Sequence, residues 1–246
     1  MKTLRCGWLG AMLVFTATIA TADKIDGDER QSELSILIEP AGLQKALKAR
    51  SLRIVDTRSL DEYDRGHIPG AVRVDVGEWK DLAIAENGLQ DAKGWAEKVG
   101  ALGISSDARV IVYGSKITNA ARIWWLLKYV GVKNASLLNG GWEAWSTNDR
   151  PTETSTPQIS PTEFKPNSQL DRLAEIDSVK KTLNSEKVKF VDTRSDGEFT
   201  CGRIPGSVQL EWKHLLTENG RFKSSKALKE VFRKQGILPT ETVVCY

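Results

Sequence analysis

A six-residue motif occurs twice in this chain, and it restricts the fold more than any other feature. Ile54-Val55-Asp56-Thr57-Arg58-Ser59 returns as Phe190-Val191-Asp192-Thr193-Arg194-Ser195. Each copy continues to a glutamate and an aromatic residue, Glu62-Tyr63 and Glu198-Phe199. Each then reaches Gly-x-Ile-Pro-Gly, at Gly66–Gly70 and at Gly202–Gly206. Ordered matches at matching spacing mean one structural plan used twice. The 246 residues are enough for two domains of ordinary size. The first copy runs on to an apolar strand, Val110–Tyr113, and the second to Val243-Val244-Cys245-Tyr246.

Within the first copy, strand and helix patterns alternate. Gly42–Ala49 has helical spacing, Arg53–Asp56 is a β-branched strand, and Asp61–Arg65 is a helical turn before Gly66. Ala71–Val74 is a second strand, Ala92–Leu102 a helix ended by Gly103, and Arg109–Tyr113 an apolar strand. Ala120–Val130 is a helix closed by Gly131, and Ser136–Leu138 a last strand before Asn139-Gly140-Gly141-Trp142. Such alternation predicts an α/β fold, a mostly parallel sheet flanked by helices on both faces. Sites in such sheets lie at the carboxyl ends of the strands, here just after Tyr113 and just after Tyr246. Residues 151–168 carry Pro151, Pro157, Pro161 and Pro166, half of the eight prolines, and are expected to form an extended linker. The organisation expected is a first domain over 34–150, the linker, and a second domain over 169–246.

The N-terminus has a different pattern. Lys2 and Arg5 precede an apolar run, Cys6–Ala20, and Ala20-Thr21-Ala22 fits a small-x-small cleavage site. Residues 1–22 are expected to be a signal peptide, with the mature protein periplasmic or secreted and no membrane attachment after cleavage. Two cysteines then remain, Cys201 and Cys245, free to pair in an oxidising compartment. The net charge of +3 and the absence of a basic run with interleaved aromatics argue against nucleic-acid binding. The only histidines, His67 and His214, have no metal-ligand spacing to cysteines or carboxylates. No metal and no cofactor are expected.

Taken together, Asp56-Thr57-Arg58-Ser59, Gly66-His67-Ile68-Pro69-Gly70-Ala71, Val110–Tyr113 and Asn139-Gly140-Gly141-Trp142 resemble the rhodanese family. The doubled arrangement is similar to the two-domain thiosulfate and 3-mercaptopyruvate sulfurtransferases. The resemblance implies tandem rhodanese-like domains and a cysteine directly after the second apolar strand. There a thiolate takes sulfur from a small sulfur-containing anion as a persulfide and passes it to a thiol or cyanide acceptor. Lowering the thiol pKa requires nearby backbone N–H groups and cations.

In the first copy the corresponding position is Gly114, and the loop that follows, with Ser115 and Asn119, has no cysteine. This domain is expected to be inactive, with Arg122 holding the loop or pairing with a carboxylate. In the second copy the nucleophile is expected just after Tyr246. Asp192 and Arg194 are expected to brace the strand ends beneath it. Glu198 stands where the resemblance often implies a substrate-facing arginine, so an anionic donor is less well provided for. Relative to the first copy the second is truncated, with an uncovered sheet face and an open edge expected. A fragment, a true truncation and a misread selenocysteine codon are the three explanations. The alternative to an enzyme is an inactive rhodanese pair that binds or scaffolds a partner.

Overall fold

The computed structural model describes residues 15–17, 35–49, 51–147 and 149–246. Its contacts divide into two units at Gln169 and Leu170, with Asn219–Arg221 belonging to the first unit. The first strand, β1 (Phe15–Ala17), belongs to the second unit. The rest of the expected signal peptide, with its cleavage site, lies outside the described residues.

The N-terminal unit has a five-stranded, all-parallel sheet in the order β2-β6-β5-β3-β4, made of β2 (Leu37–Ile38), β3 (Leu52–Asp56), β4 (Ala71–Arg73), β5 (Arg109–Tyr113) and β6 (Asn134–Leu138). Six helices accompany it: α1 (Pro40–Ala46), α2 (Leu60–Asp64), α3 (Val76–Ile84), α4 (Ala92–Gly100), α5 (Ile117–Tyr129) and α6 (Gly141–Ser146). The sheet is apolar on both sides, as a doubly covered parallel sheet must be, so Val110, Ile111, Val112 and Tyr113 are all buried.

Several details differ from the sequence expectation, three of them at helices. Helix α1 begins at Pro40 rather than Gly42, because a proline at the first helical position has no N–H to leave unpaired. Helix α5 begins at Ile117 rather than Ala120, taking loop residues into its first turn. Helix α3 was not anticipated. Its signal was Asp75, whose side chain accepts from the N–H groups of Gly77 and Glu78, followed by the buried pair Trp79 and Ala83 four residues apart.

Residues 151–168 form no helix, as their prolines dictate, but they are strapped onto the N-terminal unit. The His67 and Glu153 backbones bond to each other reciprocally at 2.9 Å, and Trp145 donates its indole N–H to Pro151 O at 3.0 Å. Thr162 N–H reaches Gly100 O at 3.0 Å and Asn167 N–H reaches Val130 O at 2.9 Å. Phe164, the one aromatic residue among the prolines, is buried.

The C-terminal unit contains α7 (Ile176–Thr182), β7 (Val188–Asp192), α8 (Asp196–Cys201), β8 (Val208–Gln209), α9 (Ser225–Lys234) and β9 (Thr242–Cys245). Its sheet order is β1-β9-β7-β8. The three parallel strands β9-β7-β8 repeat the β5-β3-β4 arrangement of the first unit. The expectation of an uncovered sheet face does not hold, whereas the edge of β9 is covered only by β1, a strand inside the expected signal peptide. Phe190 and Val244 pack on one face against Val179 and Leu183 at the end of α7. Val191 and Val243, on the other face by strand alternation, pack against Val231 and Phe232 of α9. The outer edge of β9 pairs antiparallel with β1.

Candidate active site

The two copies of Asp-Thr-Arg-Ser end β3 and β7, and each residue has the same local task. The aspartate is fully buried in both copies, at 0% exposure for Asp56 and for Asp192. Buried carboxylates require charged or hydrogen-bonded partners, and the arginine two residues on supplies them. Arg58 Nη2 lies 2.6 Å from Asp56 Oδ2, and Arg194 Nη2 lies 2.6 Å from Asp192 Oδ2. The same nitrogens donate to the first carbonyl of the Gly-x-Ile-Pro-Gly turn, Gly66 O at 2.8 Å and Gly202 O at 2.7 Å. Each pair thereby ties a strand end to the following turn.

Burial by itself raises the Asp192 carboxyl, but the hydrogen bonds and charge of Arg194 outweigh it and hold the group below the ordinary aspartate range. For Arg58, burial works against the charged form, yet its bonds to Asp56 leave the guanidinium above its usual value. Arg58 also stacks on the Trp142 ring, 3.7 Å from its centre.

The threonine controls the next strand. Thr57 donates both its N–H and its hydroxyl to Tyr113 O, each at 2.9 Å. Thr193 does the same to Tyr246 O, at 2.9 and 2.8 Å. The tyrosine hydroxyls complete the frame. Tyr113 donates to Asp56 Oδ2 at 2.5 Å and accepts from Ile68 N–H at 3.2 Å. Tyr246 accepts from Ile204 N–H at 2.9 Å and lies 2.8 Å from the Ser207 hydroxyl. Both strand ends are therefore held by matching bonds.

The serine and glutamate form a capping box in both copies. Glu198 Oε2 accepts from Ser195 N–H at 3.1 Å and from its hydroxyl at 2.6 Å. Those bonds hold the Glu198 carboxyl below the usual glutamate range. In the first copy the other oxygen of Glu62 reaches further and accepts the Ser115 hydroxyl at 3.0 Å. Ser115 thus has a carboxylate neighbour that the sequence did not suggest. The same bonds hold Glu62 low, which makes it a poor base.

Gly114 occupies the position after Tyr113. A β-carbon there would lie 2.2 Å from Thr57 Oγ1, and one at Gly141 would lie 2.3 Å from Gly114 O. Two glycines in contact allow the loop to settle between the strand end and α6, with Trp142 N–H donating to Gly114 O at 3.1 Å. Asn119 lies in the first turn of α5. Arg122 lies on α5 and makes no hydrogen bond or ion pair with any described residue. A shallow pocket at this end of the sheet is lined by Arg58, Glu62, Arg65, Gly66 and Trp142.

Neither remaining cysteine is in a disulfide. Burial pushes the Cys245 thiol up to about 11, which suppresses the nucleophilic thiolate. Cys201 is exposed at the end of α8. Among the described residues no three His, Cys, Asp or Glu side chains gather to hold a metal, and no helix is long and apolar enough to cross a membrane. The roles of Thr57, Thr193 and the two tyrosine hydroxyls were missed in the sequence. Their signal was present, because all four lie inside or at the end of the repeated segments.

The rhodanese-like domain model matches residues 39–148 and 175–246, one match in each unit. Thiosulfate sulfurtransferase of Bos taurus is 31% identical over 199 residues, covering 74% of this chain and 67% of that protein. The 3-mercaptopyruvate sulfurtransferase of Homo sapiens is 28% identical over 193 residues, covering 72% and 64%. The chain thus spans about two thirds of the length of these relatives. The crystal structure of SseA, from the 3-mercaptopyruvate sulfotransferases of Escherichia coli, matches with a TM-score of 0.74 at 25% identity, over 83% of this chain and 85% of that one. The repeated strand ends, the parallel sheets and these matches have one explanation: the chain belongs to the rhodanese family.

Proposed function

We propose that this protein moves sulfane sulfur from thiosulfate or a related donor to a thiol or cyanide acceptor, through a persulfide on a residue that directly follows Tyr246. The observation that carries this reading is the matched bonding of the two strand ends. Thr193 holds Tyr246 O as Thr57 holds Tyr113 O, so the next residue of the second copy takes the place that Gly114 has in the first. A cysteine or selenocysteine there would start the loop that leads into the following helix, where backbone N–H groups favour a thiolate. The thiolate would attack the outer sulfur of the donor, release the remainder, and yield that sulfur to the acceptor. Glu198, at the place of an expected substrate-facing arginine, provides less well for an anionic donor.

The N-terminal unit is read as non-catalytic, because Gly114 has no side chain to act as a nucleophile. The charged, apolar and small-residue pattern of residues 1–22 supports action in the periplasm or outside the cell after leader removal. N-terminal sequencing of the purified protein tests this, with Asp23 as the expected first residue.

The activity test compares residues 1–246 with the product of the gene read through the codon after Tyr246. Thiocyanate formation from thiosulfate and cyanide is expected only from the longer product. Turnover by residues 1–246 alone, lost on replacing Cys201 or Cys245, would transfer the role to that cysteine. A longer product with a cysteine at the new position but no sulfur transfer to any acceptor would favour the binding or scaffolding reading.

A further inference from the structure

His67 is the one imidazole in the N-terminal unit, and the sulfur chemistry gives it no task. Its side chain is completely enclosed, at 0% exposure. Its ring stacks on Tyr63 at 3.8 Å between centres, tilted by only 1°. Nδ1 lies 2.9 Å from Tyr63 O. A carbonyl only accepts, so Nδ1 carries the proton and the neutral ring presents a bare lone pair at Nε2. That nitrogen is buried with no hydrogen-bond partner. The group it faces is Glu153 Oε1, 3.8 Å away on the 151–168 strap. The same oxygen accepts Gly70 N–H at 2.7 Å, and the two backbones are already joined at 2.9 Å in both directions.

A lone pair facing a carboxylate oxygen is unfavourable. A proton on Nε2 turns the contact into an ion pair with a donor aimed at an acceptor. We infer that His67 and Glu153 form a proton-operated clasp that tightens the strap onto the Gly66–Gly70 turn as pH falls. The other ionisable groups around the ring do not supply a competing acceptor. Tyr63 covers its face, with Asp64 next along α2. Asp56 and Arg58 are engaged with one another, Arg58 holding Gly66 O. The Tyr113 hydroxyl is committed to Asp56 and Ile68. Among the described residues, Glu153 is the only carboxylate within 4 Å of the bare nitrogen, and its side chain keeps 32% exposure.

The clasp is read by hydrogen exchange of the full chain over a pH series. The reporters are the amides of His67 and Glu153, with rates corrected for the intrinsic effect of pH. Protection of both is expected to rise about tenfold toward the acid end, and to stay flat in Glu153→Gln, a change on the partly exposed strap that keeps the backbone bonds. The same titration followed by nitrogen NMR should show proton uptake at Nε2 of His67 in the wild type. Constant protection, a fall toward the acid end, or a rise that persists in Glu153→Gln would each overturn the inference. None of these readouts depends on sulfur transfer, so the clasp stands or falls separately from the proposed activity.

Discussion

Asp56 and Asp192 have the same partner type and the same 2.6 Å contact to it, but their surroundings differ. The Arg58 side chain is only 2% exposed, whereas that of Arg194 is 34% exposed. Removing a carboxylate from beside a buried guanidinium leaves an uncompensated charge; solvent relieves this for Arg194 and not for Arg58. Asp56→Ala is therefore expected to cost about 3–5 kcal/mol, and Asp192→Ala about 2 kcal/mol, in urea unfolding followed by circular dichroism. The pH dependence has a definite sign. A depressed aspartate contributes stability that is full above its unfolded pKa, about 4, and is lost as pH falls through the lower folded value. Asp192, Glu62 and Glu198 are all depressed. The urea midpoint of the C-terminal unit should fall below about pH 4, and Asp192→Asn should flatten part of that fall. Each Asp-x-Arg pair is written locally, because the two-residue spacing brings both partners together. The use of Glu198 in a helix cap was also written locally, as Ser-x-x-Glu, but the sequence comparison drew attention to the substrate side instead.

At the scale of elements, strands and long helices followed from periodicity, and short ones followed only where capping residues were read. Helix α8 has six residues and no buried side chain, so its end contacts matter more than its own hydrogen bonds. Ser195→Ala removes the acceptor for Glu198 N–H and is expected to cost about 1 kcal/mol, measured as a lower unfolding midpoint of the C-terminal unit. The loop after β5 shows what the sequence could not give. Gly114 could be read as the lack of a nucleophile, but its contact with Thr57 depends on two strands meeting in register. Gly114→Ala would press a methyl group into the Thr57 hydroxyl and is expected to destabilise the N-terminal unit by about 1–3 kcal/mol. If the variant is as stable as the wild type in urea, Thr57 has rotated away, and its contact does not restrict the residue at position 114.

At the scale of the whole molecule, the repeat made two units of one design evident, while the division of contacts between them was hidden. The proline-rich stretch reads as a linker in sequence because no periodic pattern can run through Pro151, Pro157, Pro161 and Pro166. Its attachment to the N-terminal unit arises from tertiary contacts that have no local signature: backbone bonds from Glu153, Thr162 and Asn167, and the single buried aromatic side chain of Phe164. A free tether and a packed strap make different predictions for one substitution. Phe164 is only 4% exposed, so truncating it leaves a cavity against the N-terminal unit. Phe164→Ala is expected to cost that unit about 3 kcal/mol, read as a drop in its thermal midpoint. Hydrogen exchange in the same variant should show lost protection at Thr162 and Asn167, with the Asp192 strand end unchanged. An unaltered thermal midpoint with unaltered exchange would mean that the segment is a tether after all. The N-terminal unit would then have to be stable without the strap that His67 and Glu153 clasp.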